Sequence, residues 1–139
     1  MVKITINNLQ NKLPIPRIHI ENLIHQILKK EEFNQAASIS ICFTDNALIK
    51  KLNTRFLRAN CPTDVLAFNL ADKKNRQGIL ADIAISVESA ISNARSFKTT
   101  PRDELLLYVA HGILHILGFG DRTPAQIKLM RKKESQYVN

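Results

Sequence analysis

Tryptophan is absent from this 139-residue chain, and cysteine and tyrosine occur twice each. Two cysteines, Cys42 and Cys61, are too few and too badly spaced for a disulfide framework or a zinc knuckle, so a reducing compartment fits best. Cys42 is expected as a buried strand thiol and Cys61 in a loop. The start, Met1-Val2-Lys3-Ile4-Thr5-Ile6, lacks the basic segment and apolar run of a secretory leader. The longest apolar stretch, Leu105 to Leu117, is too short to cross a bilayer and contains two histidines. A cytoplasmic protein with no membrane partner is the expectation. Acidic residues are also scarce: 12 Asp+Glu face 20 Lys+Arg, for a net charge of +8 and a pI near 9.8. A small chain this basic points to a polyanion such as RNA, against the plain alternative of a solvated basic surface. With six Phe, two Tyr and no Trp, extensive base stacking is not expected.

What is present reads as one domain over residues 1–139. Val2 to Ile6 and Ala37 to Phe43 have the alternation and β-branching of strands. Val65 to Phe68 and Ile79 to Ser86 are expected to form a hairpin across a polar turn. Ile18, Leu23, Ile24, Ile27 and Leu28 give helical spacing, as do Leu48, Ile49, Leu52 and Phe56 after a Thr44 or Asp45 cap, ending at Asn60-Cys61-Pro62. A further helix runs through Ala90, Ile91, Ala94 and Phe97. Thr100-Pro101-Arg102-Asp103 is a helix start with cap, proline and first-turn acid in order. Thr123-Pro124-Ala125-Gln126 reads as a capping box opening a last helix with Ile127 and Met130 on one face. The expected fold class is α+β: a four-stranded mixed sheet with about five helices, the central one carrying a His-x-x-x-His motif.

That motif is His111-Gly112-Ile113-Leu114-His115. Histidines at i and i+4 share one helix face, so both imidazoles can reach one ion. The break at Gly118-Phe119-Gly120 lets the chain fold back and bring Asp121 to the same point. Two nitrogens and one oxygen, with a position left for water, is the donor set of a catalytic zinc site. The competing reading is a structural histidine pair packed in the core. Gly112, at a cost of about 1 kcal/mol relative to alanine in a helix, suggests that backbone or ligand must approach closely there. Zinc peptidases place a general-base glutamate directly after the first histidine; here that position is Gly112. Phosphodiester hydrolysis tolerates the loss better, because a metal polarises a phosphoryl oxygen and acidifies its own water, and a nearby arginine supplies charge.

These residues resemble the YbeY family of bacterial endoribonucleases and rRNA maturation factors. The family signature is His-Gly-x-Leu-His-Leu-x-Gly-Tyr-Asp-His, with all three histidines binding zinc. His111, Gly112, Leu114, His115 and Gly118 match it; Ile116 and Phe119 are mild changes. Met130 and Glu134 fall on the family's downstream methionine and glutamate without a gap. Upstream, Thr63-Asp64-Val65-Leu66-Ala67-Phe68 and Ala81-Asp82-Ile83 match two further family segments. The resemblance implies cleavage of single-stranded RNA, maturation of ribosomal RNA at the small-subunit 3′ end, ribosome quality control, and partners on the small ribosomal subunit and among its assembly factors.

Two departures stand out. The family's Tyr-Asp-His reads Phe119-Gly120-Asp121, which puts Asp121 at the third ligand position beside His111 and His115. A carboxylate is a legitimate zinc ligand. The rival alignment matches Asp121 to the family's preceding aspartate, loses the third ligand and leaves Arg122 after it. The family's functional arginine falls at Leu57, flanked by Arg58 and Arg55, which share a helix face; Arg58 is the nearer substitute and Arg55 the other, against the reading of an ordinary solvated basic face. Asp64 and Asp82 read as scaffold first, with Asp82 a possible orienter of a histidine. The expectation is a zinc-dependent endoribonuclease with one Zn²⁺ per chain on His111, His115 and Asp121, and with Arg58 or Arg55 on the phosphate. The alternatives are a zinc hydrolase acting on another substrate, such as a peptide, and a non-catalytic RNA-binding assembly factor.

Overall fold

The computed structural model describes residues 1–57, 64–70 and 78–138, with backbone only at 55–57. Its order is β1 (Val2–Asn8), α1 (Arg17–Lys30), β2 (Ala36–Thr44), α2 (Asn46–Leu57), β3 (Val65–Asn69), β4 (Gly78–Ser86), α3 (Val87–Phe97), α4 (Pro101–Ile116) and α5 (Pro124–Tyr137). The strands form one mixed sheet in the order β1-β2-β4-β3. β1 and β2 are parallel, β2 and β4 are parallel, and β3 closes the edge antiparallel to β4. The expected α+β class, four-stranded mixed sheet and five helices are what the described residues form.

Register decides which face is core, because side chains alternate along a strand. Ile6, Ile41, Ile83 and Ala67 align across all four strands. They point, with Ile39, Phe43, Ala81 and Ile85, into the main core beneath α1, α3, α4 and α5. The opposite face is covered at the β3–β4 end, where Ile49 of α2 packs on Leu66 and Ala84.

The helix ends follow local chemistry. Thr100 accepts from the Asp103 N–H at 3.1 Å, and Thr123 forms a reciprocal capping box with Gln126. Asp45, rather than Thr44, caps α2 by accepting from the Leu48 N–H at 2.9 Å. Ser86 caps α3. The end of α2 at Asn60-Cys61-Pro62, and Cys61 itself, lie outside the described residues.

Four apolar expectations need correction. Ile18 is 73% exposed, and the buried stripe of α1 is Ile20, Leu23, Ile24, Ile27 and Leu28, whose i, i+3, i+4, i+7, i+8 spacing leaves no place for position 18. On α5 the buried stripe is Met130, Glu134 and Tyr137, and Ile127 is exposed, one turn before the helix meets the core. Phe97 is exposed at the end of α3, beyond the part that Val87, Ala90 and Ala94 seat on the core. Cys42 is half-buried on the sheet face away from the main core, where burial pushes its thiol up.

Candidate active site

α4 lies across β3 and β4, and Gly112 is its closest point. A Cβ at that position would stand 3.2 and 3.3 Å from the Ile83 methyls and 3.5 Å from Val65. The glycine is there so that the helix backbone can approach the sheet. It seats the flanking histidine His111 at the edge of the core while leaving His115, one turn further, exposed. After α4 the chain reverses at Gly118, whose φ of +107° is a conformation that L side chains rarely adopt. Phe119 N–H then returns to the Leu114 carbonyl at 3.0 Å.

This reversal carries Asp121 back to His111. Asp121 Oδ2 lies 3.6 Å from His111 Nε2. That is too long for a hydrogen bond. Two ligands on one tetrahedral zinc, each about 2.0–2.2 Å from it, stand about 3.3–3.6 Å apart, so this pair fits a shared ion. The other ring nitrogen is fixed: Nδ1 is 3.0 Å from Glu134 Oε2. Because a carboxylate only accepts, Nδ1 carries a proton, and in the neutral form the lone pair is then on Nε2, on the side of Asp121. Glu134 is 3% exposed and also accepts from Arg131 Nη1 at 2.8 Å. Burial opposes its ionisation, yet the hydrogen bonds from His111 and Arg131 win and hold the carboxyl below the ordinary glutamate range. A histidine whose far nitrogen is held by a carboxylate is the arrangement found behind metal ligands.

His115 is not drawn into this cluster. Its side chain forms no hydrogen bond or ion pair among the described residues. Among the described residues no three His, Cys, Asp or Glu side chains gather where they could hold an ion. Of the expected triad, the fold therefore brings together His111 and Asp121. Arg58 lies outside the described residues, and of Arg55 only the helical backbone is described. Asp82 faces away from α4, since its β4 neighbours Ala81 and Ile83 take the core side. It therefore cannot orient either histidine.

His111, Asp121, Arg131 and Glu134 form one end of a cavity of about 720 Å³, and Asp64, Val65, Asn93, Phe97, Glu104, Leu107 and Tyr108 form the rest. Asn93 Nδ2 donates to Tyr108 Oη at 2.6 Å and lies 3.4 Å from Asp64 Oδ2. Burial, and secondarily the Asp64 and Glu104 charges, push the Tyr108 phenol up, so it stays protonated. Glu134 and Arg131 had no assigned role in the sequence reading. The available signal was Glu134 itself, an acid four residues after Met130 and hence on the buried stripe of α5, where a carboxylate needs partners.

An α+β scaffold thus holds a histidine–carboxylate pair in the lining of an open cavity, an arrangement that metal-dependent hydrolases use. The model of the family "Endoribonuclease YbeY" matches residues 5–139. The endoribonuclease YbeY of Amoebophilus asiaticus is 35% identical over 134 residues, covering 96% of this chain and 88% of its own. That of Carboxydothermus hydrogenoformans is 34% identical over 136 residues, covering 96% and 94%. The solution structure of a Thermotoga maritima protein superposes with a TM-score of 0.62 at 30% identity, covering 99% of this chain and 87% of that one. The chain belongs to the endoribonuclease YbeY family.

Proposed function

We propose that this chain is a metal-dependent endoribonuclease whose centre is built on His111 and Asp121. Family membership supports RNA hydrolysis. The observation that carries the metal reading is the 3.6 Å separation of His111 Nε2 and Asp121 Oδ2, with Nδ1 tied back to Glu134. His111 and Asp121 would hold Zn²⁺, with His115, on the next turn of the same helix, as the third ligand. Bound there, the metal would polarise a phosphoryl oxygen and lower the pKa of its water. Glu134 sets the tautomer and aim of His111. Arg131, which lines the same cavity and is held by Glu134, would offer a guanidinium to an incoming phosphate. Arg58 or Arg55 would supply further charge from the end of α2. The net charge of +8 supports an RNA substrate through phosphate attraction. The family resemblance supports single-stranded ribosomal RNA at the small-subunit 3′ end, with partners on that subunit and among its assembly factors, in the cytoplasm. Among the described residues no helix is long and apolar enough to cross a membrane.

The test is elemental analysis of dialysed protein beside RNA cleavage, for wild type, Asp121→Ala and His115→Ala. About one zinc per wild-type chain, sharply reduced in both variants together with cleavage, is the expected result. Metal retained in Asp121→Ala would remove that residue from the ligand set. A metal-free wild type in zinc-replete medium would overturn the metal reading and leave the assembly-factor reading.

A further inference from the structure

The charged end of the cavity accounts for His111, Asp121, Arg131 and Glu134. Other residues lining the same cavity are different in kind: Phe97, which is 67% exposed, Val65, Leu107 and Tyr108. A single exposed phenylalanine is ordinary on a protein surface. This one closes α3 on a cavity that it shares with the reacting centre, while Val87, Ala90 and Ala94 before it on the helix are buried and Ile91 is partly so.

Among the described residues, the charged groups beside these are wrong for phosphate: they are the carboxylates of Asp64 and Glu104, the latter accepting from Thr99 Oγ1 at 2.6 Å, with the neutral Asn93 amide and Tyr108 hydroxyl near them. The anionic backbone of an RNA is repelled here, and the neutral, flat, donor-bearing part of a nucleotide is not. An aromatic face takes a base by stacking regardless of sequence. Asp64 adds a selective element. Its carboxylate is exposed, and the Asn93 amide, itself held on Tyr108 Oη, stands 3.4 Å from one of its oxygens. Side-by-side donors suit a carboxylate best, because both oxygens accept at once. Guanine alone among the four bases offers such a pair, N1–H and the 2-amino group, on its Watson–Crick edge. That edge is free only in unpaired RNA. The cavity volume of about 720 Å³ falls within the range of about 300–1,000 Å³ usual for small-ligand sites.

We propose that the Phe97 wall is a nucleobase subsite: one base of the RNA stacks on Phe97 and turns its edge to Asp64, which selects guanine. This rests on the endoribonuclease reading. Phe97 and Asp64 are thus specificity-determining residues.

The experiment uses the full chain and short single-stranded RNAs carrying 6-methylisoxanthopterin, a guanine analogue that keeps the N1–H and 2-amino donors and whose fluorescence is quenched by stacking, read in a stopped-flow mixer before product accumulates. Wild type should quench the probe. Phe97→Leu should lose the quench and weaken binding about ten-fold, and Phe97→Trp should restore both. Unlabelled RNAs with guanine replaced by inosine, which lacks the 2-amino group, should raise KM severalfold in wild type with kcat unchanged. Asp64→Asn should abolish that difference. If wild type cuts and binds RNA while Phe97→Leu quenches and binds equally well, the stacking subsite is overturned alone. If guanine and inosine are treated alike by wild type, the Asp64 selection is overturned. A wild type that neither binds nor cuts RNA overturns the endoribonuclease reading and the subsite with it.

Discussion

α5 carries one buried carboxylate and meets another that is partly buried, and the two are wired differently. Glu134 on α5 holds His111 and Arg131. Glu31, the cap residue of α1, accepts from Lys133 Nζ at 2.9 and 3.0 Å and from the Tyr137 hydroxyl, both on α5. Both acids lie below the ordinary glutamate range for the same reason: burial opposes the charge, and hydrogen bonds outweigh burial. The difference lies in the partners. Lys133 and Tyr137 close the Glu31 cluster, whereas His111 has a second nitrogen facing the cavity. The same hydrogen-bond chemistry serves as a helix clamp in one place and as an aiming device in the other.

The strongest way to break this comparison is at Glu134. Glu134→Leu leaves the partly buried His111 Nδ1–H without its acceptor, which should cost about 1–3 kcal/mol of stability. It should also lower cleavage about 10–100-fold through the lost orientation. Glu134→Gln, which still accepts from Nδ1, should fall between. Urea unfolding and steady-state cleavage of one RNA measure both effects; equal activity in all three proteins would remove Glu134 from the site.

Glu31 offers the complementary experiment, with a smaller effect and no activity change. Glu31→Gln weakens a charge-assisted clamp and should cost about 1–2 kcal/mol, with kcat/KM for RNA unaltered. Its pH dependence has a definite sign. The folded carboxyl titrates below the unfolded value of about 4.3, so the unfolded chain binds more protons between those two values. The stabilisation is therefore full above the unfolded value and is lost as pH falls through the folded one. Wild type should lose more stability than Glu31→Gln on acidification from about pH 5, seen as converging urea midpoints. Parallel curves would show that the clamp contributes nothing through charge.

The smallest expected change is Gly112→Ala. Helix propensity gains about 1 kcal/mol, while the new methyl pushes the Ile83 side chain by a few tenths of an ångström. The net shift in stability should stay within about 1 kcal/mol. A larger drop in cleavage than in stability would show that the seating of α4, and not Glu134 alone, sets the aim of His111.

Much of this was readable from residues close in sequence. Caps at Thr100 and Thr123 announce α4 and α5, and Gly118 announces the reversal that returns Asp121 to His111. What escaped depends on distant contacts. Periodicity placed Phe97 and Ile127 on apolar stripes but does not say where a helix overhangs its sheet. The side of the sheet taken by Asp82 required the register of four strands. Glu134 is 23 residues from its histidine, and no local pattern announces that partnership. The i, i+4 spacing puts His111 and His115 on one helix face but does not say that His111 is half-buried and His115 exposed, with Ile113 and Leu114 between them still in the core.

The Glu134–His111 contact also has a consequence in time. α4 and the loop after it can form from nearby contacts, but the imidazole acquires its fixed tautomer only when α5 docks, held at its far end by Glu31. Chain segments that pair late in folding do so after the loops between them have closed. A nascent or partly unfolded chain thus carries every donor of the site without its alignment. The centre is complete only in a chain whose last helix is docked.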